Sequence, residues 1–291
     1  MKMTQTISTY NYFDFKATPC RCGKNCCKGN SKQLPRTNHT LQPTALQLDT
    51  RDYLIWLFNQ LPVVDGPFGA MLYEVLNCFF HVFGSWPIAI VGFLIDVKAL
   101  LESGASNGRI ALEVLRAAVG NFGGTTFCSC VTPTLVHLAC LYHFESNGYR
   151  DAKRALEHYA SGGGRDYNID IARLITEDQG VKEAIESKIR TQGTDTGGLL
   201  YSDGSQLQQS SFRNTNWLYT LGNVDEIRFQ VVNRATSGTS TVELTLRDPY
   251  EWHPDVGRSV PCLHTAMENL KHYGAHDFTQ VGSPTLVQLN I

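Results

Sequence analysis

The sequence has no marked excess of charge of either sign. Its 291 residues include 25 basic and 27 acidic side chains, which gives a formal net charge of -2 at neutral pH. A protein that binds nucleic acid or an anionic membrane by general electrostatic attraction carries a larger basic excess. We therefore expect no nucleic-acid partner and look for function in a local site.

The N-terminal segment also lacks the features of a Sec signal peptide. Residues 1–17 contain no continuous apolar stretch followed by a small-residue cleavage site. We predict that the protein is made in the cytoplasm without a Sec signal. Residues 1–45 are polar, rich in Thr, Asn, Lys and Pro, and show no sustained periodicity, so they are predicted to form a flexible arm.

Long apolar runs are scarce. The eighteen residues from 78 to 95 contain no Asp, Glu, Lys or Arg, which only reaches the length of a candidate membrane span, and Gly84 and Pro87 interrupt them. A second apolar stretch, residues 128–142, is shorter and contains Pro133. We predict a buried helical hairpin, with insertion of both segments into a bilayer as the alternative.

Cysteine, in contrast, is abundant, with nine residues. Thiolates clustered with a glycine are able to wrap a metal ion, but the two cysteine pairs near the N-terminus are closer together than those of ordinary zinc ribbons. The alternative is an exposed tail that is reduced or disulfide-bonded. The clustered residues are Cys20, Cys22, Cys26 and Cys27. The remaining five are predicted to be small core residues: Cys78, Cys128, Cys130, Cys140 and Cys262.

Hydrophobic periodicity divides the rest of the chain into two domains. Residues 46–160 have helical patterning and are strongly apolar, and the glycines at 162–164 suggest a boundary. That glycine run follows a helix, so it lacks the helix N-terminus with which a phosphate-binding loop works. One further helical stretch is predicted at residues 169–191. Residues 161–291 form the second predicted domain.

Strand signals separated by turns dominate the second domain. Alternating apolar residues in 226–233 and 241–246, joined by a turn at 233–238, predict an antiparallel hairpin. A helix is predicted from Pro261 to Gly274. Further strands are predicted at residues 199–201, 216–221 and 286–290. The fold class is therefore α+β, with a helical N-terminal and middle domain followed by an antiparallel sheet with a packed helix.

Chemically capable side chains are concentrated directly behind the strand at 240–246. Asp248 and Glu251 form a carboxylate pair that can hold a divalent cation or divide acid and base roles. Tyr250 can donate a hydrogen bond to an anion, and His253 can carry a proton near neutral pH. Arg258 can bind a phosphoryl oxygen bidentately. Together these side chains suit phosphoester chemistry.

The same residues allow a purely structural interpretation. In it Asp248 caps the amide of Tyr250 or Glu251, Trp252 fills the core, and Arg258 pairs with Asp255. Residue types alone do not separate the two interpretations.

The stretch resembles the catalytic segment of the colicin M family of bacteriocins. The family signature is Asp-x-Tyr-Asp, with Arg seven residues after the second Asp and His directly before that Arg. Asp248, Tyr250 and Arg258 match it, whereas Glu251 stands at the second Asp position and Gly257 at the His position. The C-terminal 60 to 90 residues carry the resemblance, which is architectural elsewhere.

The resemblance implies an antibacterial toxin that cleaves the lipid II peptidoglycan precursor between its lipid and its pyrophosphate. It implies catalytic roles for Asp248, Tyr250, Glu251 and Arg258, and Mg²⁺ bound by Asp248 and Glu251, while His253 is a catalytic candidate by its own chemistry. It also implies lipid II or a related polyprenyl pyrophosphate as substrate, a cognate immunity protein, and secretion followed by action at the inner membrane in the target cell's periplasm. Residues 4–8 show no clear energy-coupling motif, so a contact-dependent secretion apparatus is as well supported as an import receptor.

The departures from the signature define what has to be tested. Glu251 is one methylene longer than Asp, and the histidine missing at Gly257 has to be supplied by another residue. The candidates are His253, His264, His272 and His276. The histidines from 264 to 276, with Cys262 and Asp277, also permit a zinc site, although Gly274 should break the helix between them. A membrane-inserting or pore-forming toxin with a non-catalytic C-terminal module is the alternative function, and a relative that only binds a partner is a third.

Overall fold

The computed structural model describes residues 61, 66–83, 87–122, 132–236, 238–252 and 263–291. Across these residues the chain folds into nine helices and one five-stranded sheet, which confirms the α+β class. The tail cysteines, His253 and Arg258 lie outside the described residues.

The first five helices form the helical part of the molecule. They are α1 (Gly66–Phe83), α2 (Pro87–Glu102), α3 (Asn107–Phe122), α4 (Pro133–Ser146) and α5 (Arg150–Ala160). Thr132 begins α4, because its hydroxyl accepts a hydrogen bond from the amide of Leu135 and Pro133 occupies the first helical position. Helices α1 to α4 bury a common apolar cluster that includes Leu72, Phe93 and Ile110.

No helix of the described residues is both long enough and apolar enough to span a membrane. The apolar run predicted from the sequence at 78–95 is distributed over α1 and α2. Cys78 packs, partly buried, against the apolar cluster of α1 to α4, and it is also disulfide-bonded, which was not predicted from the sequence. Cys140 is a free thiol, and burial raises its pKa to about 12.

The remaining elements build the sheet and its covering helices. They are β1 (Tyr167–Asn168), α6 (Ile171–Glu177), α7 (Gln179–Gln192), β2 (Thr196–Leu200), α8 (Thr215–Leu221), β3 (Glu226–Asn233), β4 (Ser240–Tyr250), α9 (Leu263–Asn269) and β5 (Phe278–Leu289). Single 3₁₀ turns occur at Tyr201–Asp203, Gln209–Ser211 and Leu270–Tyr273.

The strands lie in the order β1-β5-β4-β3-β2. Strands β2 to β5 pair antiparallel, as the sequence predicts, but β1 pairs parallel with β5, so the sheet is mixed. The predicted strand at 286–290 is the end of a longer strand that begins at Phe278.

Two predicted elements differ from the structure. The predicted strand at 216–221 is helix α8, whose side-chain cap is Asn214 and whose last turn ends at Gly222. The single helical stretch predicted at 169–191 is two helices, because Asp178 ends α6 and caps α7. The Asp178 carboxylate accepts hydrogen bonds from the amides of Gly180 and Val181, and it also binds the amides of residues 213 and 214.

One face of the sheet carries the core. Alternate residues of β3 and β4, among them Phe229 and Leu244, are buried against Ile185 of α7 and Trp217 of α8. The residues between them, such as Arg228, are exposed or half-buried. The described helices that pack on the sheet therefore cover the face toward which the even-numbered residues of β4 point.

A third apolar cluster joins residues on both sides of the glycine run at 162–164. It includes Leu156 of α5, Met267 of α9 and Phe278 of β5. Gly162 has a φ of +72°, and a Cβ there would lie 2.2 Å from the carbonyl oxygen of Gly274. The run is thus a tight turn after α5 that packs against the end of the 3₁₀ turn, while the division into two domains stays a prediction.

Candidate functional site

Strand β4 carries the beginning of the sequence motif into the middle of the sheet. The alternating pattern predicts a strand that ends near Leu246, but the pairing with β5 continues to Tyr250 opposite Phe278. Asp248 is therefore part of a central strand between β3 and β5 rather than part of a turn behind one. Its side chain points to the covered face, together with those of Leu246 and Tyr250.

Asp248 is almost completely buried, with 2% of its surface exposed. Burial raises the pKa of its carboxyl group to about 8, and the carboxylates of Asp225 and Glu251 add to the shift. A hydrogen bond of 3.0 Å from the amide of Asp225 to Oδ1 acts in the opposite direction. Asp248 is therefore protonated at neutral pH. The amide that it binds is that of Asp225, not that of Tyr250 or Glu251 as the structural interpretation has it.

Gln280 lies directly opposite Asp248 on β5 and is fully buried. Its Nε2 donates to the carbonyl oxygen of Thr220 over 2.9 Å. Its Oε1 accepts no hydrogen bond from any described residue. Side chains that face each other across paired strands are close enough to interact, so the Asp248 carboxyl group and the Gln280 amide are neighbours in the sheet.

Tyr250 and Trp252 link the strand end to the third apolar cluster. The ring of Tyr250 stacks on Phe278, with 4.6 Å between centroids and 12° between planes. Burial raises the pKa of Tyr250 far above its ordinary value, so the phenol stays protonated. The indole of Trp252 lies 6.2 Å from the Tyr250 ring and 4.9 Å from the His264 ring, measured between centroids. Trp252 packs against the core, as the structural interpretation predicts.

A cavity of about 680 Å³ opens beside these rings. The motif contributes Tyr250, Glu251 and Trp252 to its wall, and α9 contributes His264. The remaining lining comes from the 208–210 loop, the second half of α8 and the residues after it, β4 and the start of α9: Gln208, Gln209, Ser210, Leu218, Tyr219, Thr220, Leu221, Gly222, Asn223, Pro249 and Leu263. This is the size of cavity that holds a small-molecule ligand or part of a larger one.

The predicted site residues are thus only partly brought together. Tyr250 and Glu251 line the cavity, whereas Asp248 is buried and is not among the lining residues. Gln280, its strand partner on β5, donates to the carbonyl oxygen of the lining residue Thr220. His253 and Arg258, which were also predicted to belong to the site, lie outside the described residues.

Of the three candidate histidines that the structure describes, one joins the cavity. His264 lines it, while His272 and His276 are exposed and are not among its lining residues. Among the described residues no group of three or more His, Cys, Asp or Glu side chains is placed to hold a metal, and Cys262 of the predicted zinc site lies outside them. Asp277 instead accepts a hydrogen bond of 2.6 Å from Lys271.

The donor set does not fit Mg²⁺ at Asp248. Magnesium prefers carboxylates with access to water, whereas Asp248 is buried and bound to the Asp225 amide. Glu251 is exposed and reaches the cavity. The Mg²⁺ requirement that the resemblance implies stays a prediction.

An ionic network holds α8 against the helical part. Arg173 of α6 pairs with Asp151 of α5 and with Glu177, and its guanidinium lies 5.1 Å from the ring centre of Trp217. Asn216 accepts hydrogen bonds from the amides of Asp151 and its neighbour at the start of α5. Although burial opposes the effect, hydrogen bonds from Arg173 and Asn216 lower the pKa of Asp151. The network fixes the helix that forms one wall of the cavity.

The sequence pattern did not single out the polar half of the cavity. Gln208, Gln209, Ser210 and Asn223 lie in segments without hydrophobic periodicity, and an isolated bridge between Leu207 and Val224 brings those segments together. Leu207 and Val224, the apolar residues that flank this polar set, were the sequence signal that could have indicated it.

Comparison with known proteins returned no match, since no family model, curated protein or solved structure is significantly similar to this chain.

Proposed function

We propose that this chain is an antibacterial toxin or effector that hydrolyses the phosphodiester link between the lipid and the pyrophosphate of lipid II. The sequence support is the spacing of Asp248, Tyr250, Glu251 and Arg258. The structural observation that carries the proposal is the cavity that Tyr250, Glu251 and His264 line together. An acid, a phenol and an imidazole at one cavity are the groups that hydrolysis of a phosphate ester uses.

The reaction adds water across one P–O bond. The water oxygen bonds to phosphorus, the bond from phosphorus to the prenyl oxygen breaks, and the products are the polyprenol and the pyrophosphoryl disaccharide-peptide. Either Glu251 or His264 accepts the proton of the attacking water, and the other donates a proton to the prenyl oxygen. Tyr250 stays protonated, so it serves as a hydrogen-bond donor to a phosphoryl oxygen.

The apolar part of the cavity suits the lipid end of this substrate. Leu218, Leu221, Trp252 and Leu263 contribute apolar surface to it. An isoprenoid chain gains free energy when it leaves water for such a surface, by roughly 25 cal/mol per Å² buried.

The proposed location is outside the producing cell, at the inner membrane in the periplasm of the target. The disulfide bond of Cys78 supports this location, because disulfides persist in oxidising compartments. A producing cell then needs an immunity protein, and delivery needs a secretion apparatus or an import receptor.

The test is a cleavage assay with purified full-length protein and lipid II, with added Mg²⁺ and with EDTA. We expect release of the pyrophosphoryl disaccharide-peptide, and a loss of at least about 100-fold in rate for Glu251→Gln and for His264→Ala. Glu243→Gln on the opposite sheet face and His272→Ala, neither of which lines the cavity, are matched controls that should keep the rate. Cleavage that survives in both cavity variants would contradict the proposed roles.

The same preparation separates the membrane-inserting alternative. Lipid vesicles loaded with a fluorescent dye and containing no lipid II should retain the dye if the protein is a hydrolase. Rapid dye release, together with absence of lipid II cleavage, would favour insertion and count against the hydrolase proposal.

A further inference from the structure

One wall of the cavity is built from uncharged polar side chains. Gln208, Gln209, Ser210 and Asn223 are all exposed and line the same cavity. Their three amides and one hydroxyl offer hydrogen-bond donors and acceptors side by side. A ligand with many hydroxyl groups needs this alternation, because each hydroxyl both donates and accepts.

This wall is held in place before any ligand arrives. The Oδ1 atom of Asn223 accepts a hydrogen bond of 2.9 Å from the amide of Gln209. Next to it the amide of Val224 donates to the carbonyl oxygen of Leu207 over 3.0 Å, and both of these side chains are buried. A fixed wall loses little conformational entropy when a ligand binds.

Tyr219 stands at the same cavity on a base of other rings. It is 46% exposed, and its ring centre lies 5.4 Å from that of Phe144, 5.7 Å from that of Tyr149 and 6.0 Å from that of His143. These contacts restrict the side chain while leaving part of the ring open. An aromatic ring in such a position offers a flat apolar surface next to the amides.

The charges decide what kind of ligand this wall takes. Among the described lining residues no Lys or Arg is present, and Glu251 is the acidic one. A phosphate group placed against the amide wall would meet no cationic side chain among the described lining residues. A neutral ligand needs none.

We propose that the wall formed by Tyr219 and the amides of the 208–223 segment binds a neutral saccharide. Under the proposed function, on which this assignment of the natural ligand rests, that saccharide is the amino-sugar part of the peptidoglycan precursor. The apolar and acid-base parts of the cavity then face the lipid and phosphate ends.

The probe is N,N′-diacetylchitobiose, titrated into the full-length protein and followed by saturation-transfer NMR and by calorimetry. We expect saturable binding, weakened about tenfold or more in Tyr219→Ala through the loss of ring contact and about fivefold in Gln208→Ala through the loss of one hydrogen bond. Tyr201→Ala is the matched control, because Tyr201 is 67% exposed and is not a lining residue. It should bind the sugar as the unmodified protein does.

Three results would overturn the inference. They are absence of saturable binding up to roughly 20 mM sugar, binding that is equal in Tyr219→Ala and Tyr201→Ala, and tighter binding of inorganic pyrophosphate that depends on Tyr219. Circular dichroism of each variant verifies that the fold is retained. Lipid II cleavage without sugar binding would remove this inference and leave the proposed function, while sugar binding without cleavage would do the reverse.

Discussion

Replacement of Asp248 by asparagine should make the protein more stable at neutral pH. The carboxyl group is buried and its pKa is about 8 in the folded protein, against an ordinary value of 3.8. An amide has the same shape and accepts the Asp225 amide hydrogen bond through Oδ1. Unlike the carboxyl group, the amide is neutral without taking up a proton from solution.

The magnitude follows from the two pKa values. Between about pH 4 and pH 8 the unfolded state has an ionised Asp248 and the folded state a protonated one, so the unfolded state binds fewer protons and stability falls as pH rises. The loss is about 1.4 kcal/mol per pH unit, or about 4 kcal/mol at pH 7 and about 6 kcal/mol above pH 8, relative to pH values below 4. Asp248→Asn has no such loss.

Urea unfolding at several pH values from 4 to 9, monitored by tryptophan fluorescence, measures the effect. The difference in unfolding free energy between Asp248→Asn and the unmodified protein should grow across this range and level off above pH 8. Asp166→Asn, at an exposed carboxylate, is the control and should show a flat difference. A flat difference for Asp248→Asn as well would mean that Asp248 is ionised in the fold, and the argument for a buried neutral acid would fail.

Other substitutions test the surrounding structure. Gly180→Ala should destabilise the fold by roughly 3 kcal/mol or more in urea unfolding, because its Cβ would lie 1.9 Å from the carbonyl oxygen of Ser211, and a loss below about 0.5 kcal/mol would contradict the packing. Arg173→Lys should cost about 1–3 kcal/mol in the same assay, since lysine cannot replace the two-point contact with Asp151, and an unchanged midpoint would count against the network. Burial lowers the pKa of His137 to about 4, so the unfolded state binds a proton more readily than the folded state and thermal stability should fall as the pH drops from 6.5 to 4. His137→Leu should reduce this fall, and an equal dependence of stability on pH in both proteins would refute the prediction.

The hairpin was predictable from the sequence because burial follows the alternation of its residues. Ile227, Phe229 and Val231 on β3 face the core together with the apolar residues of β4, and period 2 encodes this without tertiary information. The extension of β4 to Asp248 was not predictable in the same way. Pro249 and the charged residues around it predict a turn, whereas pairing with β5 extends the strand to Tyr250.

Helix α8 shows where propensity misleads. Trp217, Tyr219 and Thr220 are residue types that favour strands, yet the segment is helical. Trp217, Thr220 and Leu221 are the buried ones, at the spacing of one helix face, and a capping Asn and a terminal Gly flank them. The periodicity and the caps were the better guide.

The site was predictable only as far as its chemistry is local. Tyr250 and Glu251 follow one strand, so the motif identified them together. His264 could be named only as one of several histidines, because its place in the cavity depends on how α9 packs against Trp252. The position of the amide wall depends on the β-bridge between Leu207 and Val224, which no local sequence pattern predicts.

The position of β5 has a consequence for synthesis on the ribosome. It lies between β1 and β4, and it supplies Phe278 beneath Tyr250 and Gln280 beneath the cavity wall, yet it is the last of the described strands to be translated. Until residues 278–289 leave the ribosomal exit tunnel, β4 lacks its neighbour and Asp248 lacks its partner. A nascent chain therefore cannot assemble the complete cavity before β5 has been translated and released from the tunnel.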